Sequence, residues 1–437
     1  MRIVINPLRA GLNSNTSEQF ELLVRVQAEP EDCQGRNETG LNLALVLDRS
    51  ASMRECMHEA KACVVRLVEG LGEKDKVTLV AYDDYIDTVV PLLSAAEAKQ
   101  MIPTALATID PRGCTNLHGG WLCGAELLAG AIKEDVVSRV ILLSDGMANR
   151  GLTKSEEICA QVRGLADAGV TTSTVGVGLH FNEELMVAMA EAGKGGSHYG
   201  ERAEDIEETF DAELGMLKAL AFKDIQLSII NPRSREFKVA NEYSVRNGQY
   251  QLPSIACGSE AWILLKMSME KAIALASSDE EIEICISALD QHGNPVTIKE
   301  KYKFPSVVTD SDYKALTKDT LTTNRSIELR AAEIQMDARL QAKRGNWDGV
   351  NTALRKLEEL GEGNEWIKSS IAFLKRQAIE RNTESFSKES YHKSRVYRNR
   401  ISSVDESNFF DIGEEANESA FLRRKMNQGR KTNRDNQ

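Results

Sequence analysis

The chain alternates between short, wholly apolar runs and stretches with apolar residues at helical spacing. Leu43-Ala44-Leu45-Val46-Leu47 and Val140-Ile141-Leu142-Leu143 are uninterrupted apolar runs. Runs of this length fit strands buried on both faces of a sheet. The pattern predicts strands over Leu41 to Leu47, Val77 to Tyr82, Ile86 to Val90, Val140 to Leu143 and Thr171 to Val177, with a short one near His198-Tyr199. Between them, Cys56, Ala60, Cys63, Val64 and Leu67 recur at helical spacing. Helices are expected over Met53 to Glu69, Leu117 to Ile132, Lys154 to Ala168 and Glu183 to Ala192. Such alternation predicts an α/β domain over 41–219, a doubly wound, mainly parallel sheet with helices on both faces. The Asp83-Asp84-Tyr85 turn predicts one antiparallel edge hairpin.

The flanking segments follow a different period. Phe20 to Ala28 reads as a strand, as do Ile225 to Ile229, Trp262 to Met267 and Ile282 to Ile286, separated by turns such as Arg246-Asn247-Gly248 and Asp290 to Pro295. Neither residues 1–38 nor 222–305 hold enough strands to form a core alone. Together they predict a discontinuous β-sandwich with the α/β domain inserted in it. Residues 310–381 return to helical spacing, broken at Gly345-Asn346-Trp347-Asp348, and predict a C-terminal helical hairpin. One such hairpin is too little for a repeat solenoid. From 382 to 437 the chain is polar and poor in apolar residues, which predicts a mobile tail.

Composition narrows the classes. The 437 residues leave room for roughly two to four domains, and a 42% hydrophobic share is ordinary for globular protein. A net charge of -12 argues against a general nucleic-acid binder. No apolar run reaches the roughly 18 residues of a membrane span, and the first residues lack a secretory pattern, so a cytoplasmic protein is expected. None of the 8 cysteines forms a C-x-x-C pair, which speaks against zinc and predicts free thiols.

The chemistry lies at strand ends. Asp48-Arg49-Ser50-Ala51-Ser52 follows the first apolar run and sets one carboxylate and two hydroxyls at alternate positions. Hard divalent cations take such oxygens, and ligands of open α/β sheets bind at this end of the strands. Each element also has a plain structural reading. Asp48 suits a strand-end turn, Ser50 or Ser52 a helix cap, and Asp145-Gly146 a turn. Gly113-Cys114-Thr115-Asn116-Leu117 and Ser144-Asp145-Gly146 complete an ordered set. Asp48, Ser50, Ser52, Thr115 and Asp145 together resemble the D-x-S-x-S, T, D metal-ion-dependent adhesion site of the von Willebrand factor A family, which includes integrin I domains. The resemblance covers roughly 41–219, and it implies the insertion by analogy, since integrin β subunits and several bacterial relatives show a similar one.

The resemblance implies that Ser50, Ser52 and Thr115 coordinate the ion while Asp48 and Asp145 hold waters and balance charge. Mg²⁺ suits such a set, since it keeps several waters, and Mn²⁺ substitutes readily. It implies a metal-dependent protein-binding module or scaffold, whose ion takes an Asp or Glu carboxylate from a partner. Arg49 flanks the motif, Asn116 follows Thr115, and His118 and His180 lie near loops at the same end of the sheet, so these four are the candidate partner contacts. Ordinary readings compete: solvated surface for Arg49, a helix cap for Asn116, loop residues for the histidines. Catalysis is not expected, because no nucleophile–base pair accompanies the motif and Ser144-Asp145-Gly146 is no nucleophile elbow. A metal-assisted hydrolase and an RNA-associated scaffold, the latter resting on the basic tail, are the alternatives.

Overall fold

The structure, a computed structural model, describes residues 1–29, 40–133, 136–145, 148–177, 182–200, 215, 217–230, 237–362 and 365–383, with 386, 387, 390, 391, 394, 402 and 403. The chain divides into two compact units, Asn37–Ala219 and the combination of Met1–Arg36 with Leu220–Gln437.

The outer unit begins with β1 (Arg2–Pro7) and β2 (Phe20–Gln27). The inserted unit then runs β3 (Gly40–Asp48), α1 (Met57–Glu69), β4 (Lys76–Tyr82), β5 (Ile86–Ser94), α2 (Ala95–Ala107), α3 (Leu117–Ala129), β6 (Val136–Ser144), α4 (Ser155–Asp167), β7 (Val170–Val177), α5 (Glu183–Ala192) and β8 (Lys194–Gly200). Its sheet has the order β5-β4-β3-β6-β7-β8. Only the β4–β5 pair is antiparallel. β3 is buried along its whole length because both faces are covered. Leu41, Leu43, Leu45 and Leu47 pack with α1 and α2, while Ala44 and Val46 pack with α3, α4 and α5. The period of two along the strand thus supplies two cores at once. Helix α2 lies outside the expected helices. Its start is the Ser94 capping box with Glu97, a readable signal.

Chain direction across the sheet reverses at β3, which pairs β4 on one side and β6 on the other. That switch point opens a crevice at the carboxyl ends of β3 and β6. It is where Asp48 and Asp145 lie.

The outer unit resumes with β9 (Leu220–Ile230), β10 (Lys238–Val239), β11 (Val245–Arg246), β12 (Gln249–Gln251), β13 (Ile255–Ala256), β14 (Ser259–Met267), α6 (Met269–Ser277), β15 (Glu281–Asp290) and β16 (Pro295–Lys303). One sheet has the order β1-β2-β14-β10 and the other β11-β12-β9-β15-β16. Leu22, Val24, Val26, Ile263 and Leu265 of the first share a core with Ile225, Leu227, Ile282, Ile284 and Ile286 of the second. This is a sandwich of antiparallel sheets. Helices α7 (Asp310–Ala315), α8 (Thr320–Lys343), α9 (Trp347–Leu360) and α10 (Glu365–Glu380) follow. The expected hairpin is α8 with α9, broken at Gly345, whose φ of 72° needs a residue without Cβ. Helix α10 extends it to three, adding Ile367, Ile371 and Leu374 to the same core.

Two expectations need correction. The tail is not free from 382: Phe386 is buried in the helical core, and β17 (Ser402–Ser403) pairs with β14. One aromatic and a two-residue strand are too few for composition to reveal. Residues 404–437 lie outside the described residues. The thiols also differ: Cys257 is disulfide-bonded, whereas Cys56, Cys63, Cys114, Cys123, Cys159 and Cys285 are free. Cys33 lies outside the described residues. Among the described residues no helix is long and apolar enough to cross a membrane.

Candidate metal site

β3 delivers Asp48 fully buried at its carboxyl end. The Asp48 Oδ1 accepts the Ser50 backbone N–H at 2.8 Å, an Asx turn that bends the chain away from the sheet. Its Oδ2 accepts the Tyr82 hydroxyl at 3.2 Å and the Ser144 hydroxyl at 2.5 Å. Both donors come from the neighbouring strands, Tyr82 standing opposite Asp48 in the β3–β4 register. Burial pushes the Asp48 carboxyl up to about 6, and the Asp145 carboxylate adds to the rise. The hydrogen bonds from Ser144 and Ser50 act the other way. Asp145, also buried, follows β6, and its carbonyl accepts the Asn182 N–H at 3.1 Å.

Ser50 is buried and Ser52 exposed, and their hydroxyl oxygens lie 3.0 Å apart. Ser50 occupies the N-cap of a 3-10 turn over Ala51–Glu55, yet its side chain makes no capping bond. The capping alternative therefore does not account for it. Thr115 is buried, and its backbone is held on both sides. Its N–H donates to Asn149 Oδ1 at 2.8 Å, and its carbonyl accepts the Asn149 and Arg150 N–H groups at 3.2 Å. Among the described residues the Thr115 hydroxyl has no partner.

A second layer ties the loops together. Asp83, at the β4–β5 turn and 1% exposed, accepts Arg112 Nε at 2.5 Å, the Tyr85 N–H at 2.7 Å and an ion pair from Arg49 Nε at 3.3 Å. Burial pushes the Asp83 carboxyl up, but the Arg112 bond, the Tyr85 N–H and the Arg49 charge outweigh it and hold the carboxyl below its usual range. The Arg49 N–H donates to the Tyr82 carbonyl at 2.9 Å, the Arg112 N–H to the Arg49 carbonyl at 2.8 Å, and the Ala51 N–H to the Gly113 carbonyl at 3.2 Å. Asp84 accepts the Cys114 N–H at 3.0 Å and pairs with Arg150 at 3.2 Å.

The four residues expected at a partner surface are placed differently from one another. Arg49 is buried and pairs with Asp83 and Asp87, so its charge is directed inward. Asn116 caps α3, accepting the Gly119 N–H at 3.1 Å. His118, two residues along, hydrogen-bonds Gln161 at 2.9 Å, and its ring centroid lies 5.9 Å from that of Trp121. His180 lies outside the described residues. Sequence reasoning missed Tyr82, Ser144, Asp83 and Asn149. Tyr82 ends a predicted strand and Ser144 precedes Asp145, so both were findable from strand-end position. Asp83 was assigned to the hairpin alone, and nothing marks Asn149.

The donor set suits a hard cation. Among the described residues no group of three or more His, Cys, Asp or Glu is placed to hold a metal ion, so an ion here would rest on the hydroxyls as well as the carboxylates. What converges here is two buried carboxylates and short hydroxyl side chains, the oxygen chemistry of Mg²⁺. The nearby Cys56 thiol is pushed up to about 12, by burial first and then by Asp145, Glu59 and Asp48. It is thus protonated at neutral pH.

The class this fold defines is a doubly wound α/β domain, here with hydroxyl and carboxylate side chains at its switch point. The family model of the von Willebrand factor type A domain matches residues 42–212, which fall within the inserted unit. The chain is similar to YfbK of Escherichia coli, 28% identical over 215 residues, which are 48% of this chain and 37% of that protein. It is also similar to sll0103 of Synechocystis, 25% identical over 292 residues, covering 62% of this chain and 68% of that one. The chain thus spans little more than a third of the length of the first relative. The fold is shared with a von Willebrand factor type A protein from Catenulispora acidiphila at a TM-score of 0.63, 15% identical, over 91% of this chain and 96% of that one. The ArnB paralog VWA2 from Sulfolobus acidocaldarius matches at 0.55, 14% identical, over 91% and 98%.

Proposed function

We propose that the inserted domain is a metal-dependent protein-binding module, and that binding rather than catalysis is its task. The observation that carries this reading is the Ser50 hydroxyl, buried at an N-cap without capping, 3.0 Å from the Ser52 hydroxyl and beside the buried Asp48. Ser50, Ser52 and Thr115 would hold the ion, with Asp48 and Asp145 balancing its charge. When bound, Mg²⁺ or Mn²⁺ supplies an electrophilic centre for an Asp or Glu carboxylate of a partner. The chain's own part is to orient the hydroxyls: the Asp48 turn sets Ser50, and the Asn149 clamp sets Thr115.

Two measurements test it. Titration calorimetry of the full chain with Mg²⁺ should show one site, absent in Thr115→Ala and in Asp48→Ala while circular dichroism stays unchanged. Partner capture, identified by mass spectrometry, should reverse with chelator. Undiminished capture by both variants would sink the reading.

A further inference from the structure

The rim of this site carries chemistry that ion binding does not use. The β4–β5 hairpin turns beside the Thr115 loop and leaves Tyr85 71% and Ile86 37% exposed. Turn positions favour small polar residues, so a protruding aromatic there is not required by the backbone. Beside it stand Arg112 and Arg150, with 60% and 64% of their side chains exposed. Each is anchored through Nε alone, Arg112 to Asp83 at 2.5 Å and Arg150 to Asp84 at 3.2 Å. Among the described residues their Nη groups have no other partner. Both guanidinium forks are therefore held in place with open donors, ready for a carboxylate. Aromatic and arginine side chains in one patch are the make-up of interaction hot spots.

From this we infer that the rim selects an acidic partner segment in which the metal-seeking Asp or Glu is flanked by an apolar residue and a second acidic residue. The apolar side chain packs on Tyr85 and Ile86, and the second carboxylate takes the Nη groups of Arg112 and Arg150. The inference rests on the metal-dependent reading above. The open Nη donors favour it locally, while the charges of Arg112 and Arg150 are already paired with Asp83 and Asp84. A net charge of -12 repels an acidic segment at a distance, but screening at physiological salt confines that repulsion to about 8 Å. Selection then falls to the open donors at the rim.

The test is a random linear peptide library displayed on phage, panned over the immobilised full chain in Mg²⁺ and eluted with EDTA. Peptides carrying an acidic residue, an apolar neighbour and a second acidic residue should be enriched. A synthetic copy of the winner should bind the Tyr85→Ser/Ile86→Ser variant about tenfold more weakly and Arg150→Gln about fivefold more weakly, with both affinities still abolished by EDTA. EDTA-eluted peptides without an apolar neighbour, or equal affinity for the hairpin variant, would overturn the rim inference and leave the metal reading standing. Peptides indifferent to EDTA would overturn both, as would a library that yields no binder.

Discussion

Replacing Asp83 with alanine removes the acceptor on which three loops converge. The losses can be graded by exposure. Arg112 is 60% exposed, so its pairing is worth at most about 1 kcal/mol. The Tyr85 N–H bond, at 2.7 Å, contributes about another 1 kcal/mol. Arg49 is the costly case. Orphaning a buried charge costs about 3–5 kcal/mol, but Asp87, with its side chain 53% exposed, remains as a partner, which brings the cost to about 2 kcal/mol. Asp83→Ala should therefore destabilise the inserted unit by about 3–4 kcal/mol. Hydrogen exchange read by mass spectrometry separates the two units. Amides of β3 and β4 that open only with the unit should exchange at least about a hundredfold faster, while those of β9 and β15 stay unchanged. Asp83→Asn keeps an oxygen for the Tyr85 N–H and should cost about 1 kcal/mol less. A loss below about 1 kcal/mol in Asp83→Ala, or an equal acceleration in β9, would refute the grading.

Acid should act through the same residue. Asp83 titrates below the ordinary carboxyl value of about 3.9 when folded, so its stabilisation is complete above that pH and is lost as pH falls through the folded value. The stability gap between wild type and Asp83→Asn should narrow below about pH 4 in urea titrations. Gly124 of α3 lies where a Cβ would meet Val46 Cγ2 at 2.6 Å and Ala44 Cβ at 3.3 Å. Gly124→Val should cost about 2–3 kcal/mol by thermal unfolding, because strand β3 cannot yield.

What the sequence made legible follows from the physics of each element. β3 and β6 are buried on both faces, so their apolar runs mark them without ambiguity, and the residues that follow them stand out. Asp48, Ser50, Ser52 and Asp145 stand out because a strand end fixes where its next residues project, whereas Thr115 lies in the loop before α3 and enters only through the family resemblance. The second layer does not stand out. Asp83 acts through Arg49 and Arg112, at separations of 34 and 29 residues, and no local period encodes such pairings. Arg49 shows the limit most clearly. Its position between Asp48 and Ser50 suggests a role at the ion, yet its long side chain reaches across to Asp83 and Asp87. The tail failed for the opposite reason: Phe386 and Ser402–Ser403 are too few to lift a polar window above its average.

The direction taken by Arg49 bears on why the site suits an ion. Had that guanidinium turned toward Asp48, an internal salt bridge would have met the buried carboxylate and left a cation little to gain. Instead the donors to Asp48 are the Tyr82 and Ser144 hydroxyls and the Ser50 N–H, all of them neutral. They satisfy hydrogen bonding without cancelling charge. Burial and the neighbouring Asp145 then raise the free energy of the ionised Asp48. On the metal-dependent reading proposed above, a divalent cation would offset both, because the basic residue beside the site is spent on Asp83 and Asp87, not on Asp48.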